Sequence, residues 1–159
     1  MASLILQGAL LGLGATIAMD LWAQLVGRLP GQSPPDWAPV GRWFWHLREG
    51  RLFHDDIAAA APWRHERALG WAGHYAVGIA YGTLFALIVG PDWLAAPRFL
   101  PAWIFGLVTI AAGWFLLLPG MGLGWAGART PDPSRTRLMG LIAHTVFALG
   151  LYLTALAIR

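Results

Sequence analysis

The sequence contains no cysteine and no lysine, and charged residues make up only 12% of its 159 positions. The absence of cysteine excludes a disulfide framework, a thiolate metal site and a thiol nucleophile. So little charge cannot cover the surface of a water-soluble domain, and 57% of the residues are hydrophobic. The composition therefore predicts a single integral membrane domain over residues 1–159.

Four long apolar segments predict membrane-spanning helices. Each contains 21 to 23 residues, and about 20 are needed to cross the hydrocarbon core of a bilayer. The segments cover approximately residues 4–26, 69–90, 99–120 and 138–158. A membrane β-barrel would instead need many alternating segments of about ten residues. The predicted fold class is therefore all-α, a four-helix transmembrane bundle.

The connection between the first two predicted spans, residues 27–68, is the only one long enough to form an element of its own. The segment Pro39–Glu49 predicts a short helix that stops at Gly50. Asp55 and Asp56 suit the first turn of a second short helix, because carboxylates are favourable at helix N-termini. We expect this connection to lie along the membrane surface as an interfacial cytoplasmic helical hairpin.

Arginine is distributed unevenly between the two sides of the predicted membrane. Only Arg98 and Arg159 lie on one side, whereas nine arginines lie in the first and third connections. The nine are Arg28, Arg42, Arg48, Arg51, Arg64, Arg67, Arg129, Arg135 and Arg137. Cytoplasmic loops are enriched in basic residues, so both termini should lie on the non-cytoplasmic side. The net charge of +3 is the excess of eleven arginines over eight acidic residues, and it predicts contact with membrane lipids, not with nucleic acid.

Three ionisable residues, Asp20, His74 and His144, lie inside the predicted spans. With a rise of about 1.5 Å per residue, each lies roughly 7–10 Å from the cytoplasmic end of its helix. The three are therefore predicted to share one layer in the cytoplasmic half of the bundle. Glu66 lies two turns before His74, about 12 Å along the helix axis, and is predicted to form the cytoplasmic mouth of this layer.

Small residues beside these three groups predict which way the groups face. Glycine, alanine and threonine recur at steps of four, as membrane helices need for close approach. The positions are Gly8, Gly12 and Thr16, then Gly70, Gly78 and Gly82, then Gly140 and Ala148. The ionisable side chains should thus face the interior of the bundle and not the lipid.

Two interpretations of this layer stay open. In the first, Asp20 bonds to His74 or His144, and the network only holds the helices in register. In the second, the residues form a ligand or proton site, because intramembrane ionisable groups usually serve a function. Two imidazoles and a carboxylate suit a divalent metal, and two histidines suit haem. Proton transfer is compatible with the same groups.

Three functional classes follow. The favoured one is a membrane protein that binds a small ligand, metal or haem at the Asp/His/His layer. The second is a small transporter or proton-coupled permease, which would require a homo-oligomer formed through the glycine-rich helix faces. The third is a structural or assembly partner of a membrane complex. An enzyme is less favoured, because no nucleophile–base pattern predicts a catalytic residue and only a metal-bound water could supply the chemistry.

The first connection contains a second cluster of ionisable residues around His54 and Asp55. His46 and His65 lie nearby in sequence, but the cluster has none of the familiar zinc spacings. Adjacent helical residues also diverge, so His54 and Asp55 cannot share a helix face. The simplest interpretation is a set of solvated interfacial residues.

The third connection is rich in glycine and leads to Arg129, Arg135 and Arg137. Glycine-rich backbone followed by arginine suits an anion or a lipid headgroup. The segment lacks the lysine of a P-loop, so a nucleotide site is not predicted.

Several short blocks of the sequence resemble a known family. The blocks are Gly14–Trp22, Gly41–Trp43, Phe53–His54, Glu66, Gly70–Tyr75, Gly122–Gly124 and Thr130–Pro133 through to His144. They are similar to a family of bacterial inner-membrane proteins known as domain of unknown function 2938. The resemblance implies a four-helix protein of the bacterial cytoplasmic (inner) membrane, with both termini periplasmic in the orientation above. It implies no established activity.

Overall fold

The computed structural model describes residues 2–159, and every regular element in that range is helical. Four helices are long and apolar enough to cross a membrane. They are Ser3–Val26, Glu66–Ala95, Phe99–Gly120 and Pro133–Ile158. The all-α class with four candidate membrane spans is therefore confirmed.

The helices are bounded as follows. The α-helices are α1 (Ala2–Val26), α2 (Ala38–Leu47), α3 (Glu66–Ala95), α4 (Phe99–Ala112), α5 (Leu118–Gly120) and α6 (Pro133–Ile158). A π-helical turn, Gly113–Leu117, joins α4 to α5, and a 3₁₀ turn covers Trp125–Gly127. Helix α3 is interrupted at Gly90, where φ is +73°. Glycine adopts this conformation without steric cost, and Pro91 has no N–H to continue the helix.

The contacts of the chain divide it into two compact units. The first unit contains the described residues up to Pro35 together with Tyr75–Thr109 and Ile142–Arg159. The second contains Asp36–His74 and Ile110–Leu141.

The first unit is held together by close backbone contacts between small residues. A Cβ atom on Gly12 of α1 would collide with the carbonyl of Gly78 of α3, and one on Gly82 would collide with the backbone of Gly12. A Cβ atom on Gly150 of α6 would lie 2.6 Å from the Cα of Ala15. The predicted small-residue interface is therefore present within this unit. Its core also contains Leu11, Phe85, Trp93, Phe147 and Leu151, all buried.

The second unit has a smaller core around Trp43. The indole Nε1 donates a hydrogen bond to the carbonyl of Leu52 at 2.8 Å, and its ring packs with buried Ile57 and Met121. Helix α2 approaches the start of α3 closely, because a Cβ atom on Gly41 would collide with the carbonyl of Glu66. Helix α2 and the segment 52–57 of the first connection thus pack on the same core.

The first connection differs from the predicted pair of short helices. The first predicted helix is present as α2, but the second is replaced by a turn over residues 57–59. Asp56 Oδ1 accepts the N–H of Ala58 at 2.8 Å, which favours a turn. The carbonyls of Ile57, Ala58 and Ala60 accept hydrogen bonds from Arg42, and the Ile57 carbonyl also accepts the N–H of Ala60 within the turn. The second helical arm of the hairpin was therefore wrongly predicted.

Candidate functional site

The predicted Asp/His/His layer is divided between the two units. Asp20 and His144 belong to the first, whereas His74 and Glu66 belong to the second. Over residues 2–159, no three or more His, Asp or Glu side chains are arranged to hold a metal ion. The described part of the chain thus contains no preformed three-ligand metal site.

His144 is anchored through one ring nitrogen. Its Nδ1 lies 3.0 Å from the carbonyl oxygen of Gly106 and 3.1 Å from Thr109 Oγ1. The hydroxyl proton of Thr109 is already donated to the same Gly106 carbonyl at 2.7 Å. A carbonyl oxygen only accepts, so Nδ1 must carry a proton and act as the donor.

This anchoring fixes the tautomer of a neutral His144. With the proton on Nδ1, the lone pair lies on Nε2. Nε2 makes no hydrogen bond to any other residue in the described range. A histidine that donates one N–H to a backbone carbonyl has the arrangement typical of an imidazole that binds a proton or a metal through its other nitrogen.

Asp20 is hydrogen-bonded to Tyr75 within the first unit. His74 and His144 were the predicted partners of Asp20, and the hydrogen bond to Tyr75 was not predicted. A phenol gives no charge signal in a sequence, and Tyr75 directly follows His74. Tyr75 ends the block Gly70–Tyr75, which resembles the family, and this was the only sequence feature that marked the position.

His74 lies flat against an aromatic ring of the second unit. Its ring centroid is 3.9 Å from that of Trp37, and the two planes differ by 23°. Trp71 contacts the same imidazole edge to face, with a centroid separation of 6.1 Å. The indole of Trp37 therefore covers one face of the imidazole, a contact that helical spacing did not predict.

Glu66 forms a two-pronged ion pair with Arg42. The guanidinium Nε donates to Oε2 and Nη2 donates to Oε1, and both distances are 2.8 Å. The hydrogen bond to Glu66 is the main cause that raises the pKa of Arg42 above its ordinary value. Glu66 Oε2 also accepts the N–H of Trp63 at 3.1 Å. A role for Glu66 at the mouth of a ligand site would therefore require this ion pair to open.

His54 is paired with His46 and not with its neighbour Asp55. His54 Nε2 lies 2.8 Å from His46 Nδ1, and Asp55 is exposed. The outer nitrogens of the two rings contact the carbonyls of Ala61 and Gly120. Of the predicted second cluster, the structure thus brings together the two histidines.

The third connection forms a shallow groove of about 320 Å³. The groove is lined by Phe53, Pro119, Gly124, Trp125, Ala128 and Arg129. Arg137 is not among the lining residues, and its Nε donates to the carbonyl of Ala126 at 3.1 Å. The backbone N–H of Arg135 donates to Asp132 at the start of α6. Of the three predicted anion contacts, Arg129 is the one that lines the groove.

These helices and their small-residue contacts define an all-α protein with four segments able to cross a membrane. Residues 9–158 match a family described as protein of unknown function (DUF2938). The chain belongs to this family, as the sequence blocks predicted. No curated protein and no solved structure matches the chain.

Proposed function

We propose that the protein is a multi-pass protein of the bacterial cytoplasmic (inner) membrane that binds a small ligand through Nε2 of His144. The observation that carries the proposal is the anchored Nδ1–H of this imidazole, which leaves the lone pair on Nε2. The arginine distribution supports an orientation with both termini in the periplasm.

The chemistry of the site favours a ligand that one imidazole can hold. A metal ion inside a chelating cofactor already has most of its ligands, so one imidazole can complete its coordination. Haem iron, which accepts an axial histidine, is the best-known example. Asp20 lies in the same unit and adds a carboxylate to the polar groups inside the spans. His74 belongs to the second unit, where ring contacts with Trp37 and Trp71 restrain its imidazole.

The test is an absorption spectrum and elemental analysis of the full-length protein purified in a mild detergent. The proposal expects wild-type protein to copurify with haem or a transition metal, and the His144→Ala variant to lose it while staying folded. His65→Ala is the matched control, because His65 is exposed and contacts the ring of Trp63 outside the site. Colourless, metal-free wild-type protein with an intact fold would contradict the proposal.

A proton-coupled permease is the second candidate function, and the hydrogen bond between Asp20 and Tyr75 favours it. A carboxyl and a phenol that share a hydrogen bond inside the spans are both able to exchange protons. Four spans are few for a complete pathway, so this candidate requires a homo-oligomer. Native mass spectrometry in nanodiscs tests it, and a strictly monomeric particle would count against a permease.

We also infer that Arg129 contacts the phosphate of an anionic lipid. Its guanidinium makes no ion pair or side-chain hydrogen bond within residues 2–159, and it lines the same groove as Trp125, which is 68% exposed. Exposed tryptophan and arginine are typical of a membrane interface. Arg129→Ala should weaken phosphatidylglycerol binding in native mass spectra, whereas Arg28→Ala, another exposed arginine of the predicted cytoplasmic side, should not. If both variants weaken phosphatidylglycerol binding equally, the binding depends on the total positive charge and not on a site at Arg129.

A further inference from the structure

Two imidazoles and two backbone carbonyls form a continuous row in the second unit. The carbonyl oxygen of Ala61 lies 3.1 Å from His46 Nε2, and His46 Nδ1 lies 2.8 Å from His54 Nε2. His54 Nδ1 in turn lies 3.0 Å from the carbonyl oxygen of Gly120. All four ring nitrogens are therefore within hydrogen-bonding distance of a partner.

The number of protons in this row follows from the chemistry of its ends. A carbonyl oxygen cannot donate, so His46 Nε2 and His54 Nδ1 must both carry protons. Two neutral rings have only these two N–H groups. The lone pairs of His46 Nδ1 and His54 Nε2 would then face each other at a distance of 2.8 Å. A third proton between His46 Nδ1 and His54 Nε2 converts this repulsion into a hydrogen bond.

We propose that His46 and His54 form a proton-binding site that holds three ring protons and one positive charge in the folded protein. Either ring can be the formal imidazolium, because the central proton lies between two imidazole nitrogens. His46 is only 4% exposed. Burial opposes a charge unless hydrogen bonds compensate it, and here the two carbonyls and the second imidazole supply that compensation.

The charged groups of the surrounding elements are exposed or paired with other residues, so they do not balance this positive charge. On α2, Arg42 lies one turn before His46 but is paired with Glu66, and exposed Arg48 is paired with Glu49. On the following loop, Arg51, Asp55 and Asp56 are exposed, and Asp56 accepts the N–H of Ala58. On the next element, Arg64 and His65 are exposed, and His65 packs edge to face against Trp63. The segment 113–128, which supplies Gly120, contains no charged residue.

The proton links two distant parts of the chain. His46 lies on α2, and Gly120 ends α5. The backbone N–H of His54 also donates to the Gly120 carbonyl at 2.9 Å, so this one oxygen accepts two hydrogen bonds from His54. Loss of the third proton would force the two rings apart and break one of the carbonyl contacts. Proton loss should therefore loosen the first connection from the turn that follows α5.

The direct test is ¹⁵N NMR of the full-length protein in nanodiscs with ¹⁵N-labelled histidine at pH 7. The proposal expects three N–H protons on the pair: one on His46 Nε2, one on His54 Nδ1 and one shared between the inner nitrogens. His54→Gln and His46→Gln identify the signals. A pair with only two N–H protons at pH 7 would overturn the proposal.

A pH profile of thermal stability provides the second test. The folded pair holds three protons, whereas two free histidines above their ordinary pKa of about 6.5 hold only two. Stability falls as pH rises wherever the folded state binds the additional proton. The difference in melting temperature between wild type and His54→Gln should therefore shrink by about 2–4 °C between pH 6 and pH 9. Glutamine retains one donor and one acceptor without titrating.

His65→Gln is the matched control for that profile. It removes an exposed histidine outside the pair, so its melting temperatures should follow those of wild type at every pH. A His54→Gln profile that runs parallel to wild type would overturn the proposal, even if the variant is less stable throughout.

Discussion

Arg42 and Glu66 are joined by two parallel hydrogen bonds of 2.8 Å, although 24 positions separate them in the sequence. Both side chains are mostly buried, with 13% and 15% of their surfaces exposed. The third guanidinium nitrogen, Nη1, donates to the carbonyls of Ile57, Ala58 and Ala60. One side chain thus ties α2, the following loop and the start of α3 together.

Replacing Arg42 with alanine should destabilise the protein by about 3 kcal/mol, because it leaves a largely buried carboxylate without its partner. Denaturant titration in detergent micelles measures this loss. Arg48→Ala is the matched control, since Arg48 is 56% exposed in its ion pair with Glu49 and exposed pairs contribute less than about 1 kcal/mol. Equal effects of the two variants would show that the Arg42 interactions do not stabilise the fold.

Adding a methyl group at Gly12 should lower stability by about 1–3 kcal/mol, the usual cost of overpacking. The new Cβ atom would meet the backbone of Gly78, which cannot move as a side chain does. Gly113→Ala provides the control, because a Cβ atom there has no neighbour within 4 Å. Thermal unfolding of both variants in the same detergent decides the matter. A Gly12→Ala variant as stable as Gly113→Ala would refute the close contact between α1 and α3.

Alkaline phosphatase fused after Arg159 should be active, whereas green fluorescent protein fused at the same position should not fluoresce. This result follows from the excess of arginine in the first and third connections, which predicts a periplasmic C-terminus. The same reporters inserted after Pro131 should give the opposite pattern. Fluorescence from the C-terminal fusion would reverse the proposed orientation.

The hydrogen bond between Asp20 and Tyr75 should contribute a coupling energy of about 0.5–1.5 kcal/mol, the range for polar contacts between membrane helices. A double-mutant cycle with Asp20→Asn and Tyr75→Phe measures it from unfolding free energies. Tyr152→Phe is the matched control, because Tyr152 contacts the ring of Phe99 on a different helix. A coupling as small as that between Asp20→Asn and Tyr152→Phe would show that the hydrogen bond is energetically silent.

The four candidate spans and α2 could be predicted from the sequence because their signals are local. Apolar runs of sufficient length define the spans, and Gly50 follows the end of α2 closely. The small residues at Gly8, Gly12, Gly78 and Gly82 likewise predicted their own contacts, since close helix approach in lipid depends on residue size alone.

The details of the candidate sites could not be predicted in the same way, because their partners are distant in sequence or are backbone atoms. The His54 ring meets the carbonyl of Gly120, 66 positions away, and the His144 ring meets that of Gly106, 38 positions away. Every residue has a carbonyl, so residue types give no sign of which one is used. The missing second helix has the same origin, since the carbonyls of Ile57, Ala58 and Ala60 accept hydrogen bonds from Arg42, 15 to 18 positions away.

The π-helical turn at Gly113–Leu117 has a consequence for chain length. The N–H of Leu118 donates to the carbonyl of Gly113, five residues earlier, so this turn contains one residue more than an α-helical turn would. Deleting one residue here would restore a regular helix. The following residues would keep nearly the same orientation, because a π-helical turn absorbs its additional residue by rotating less per residue, so the Gly120 carbonyl would still face His54. Within the family, proteins with a one-residue gap at this turn should therefore retain the paired histidines as often as proteins without it.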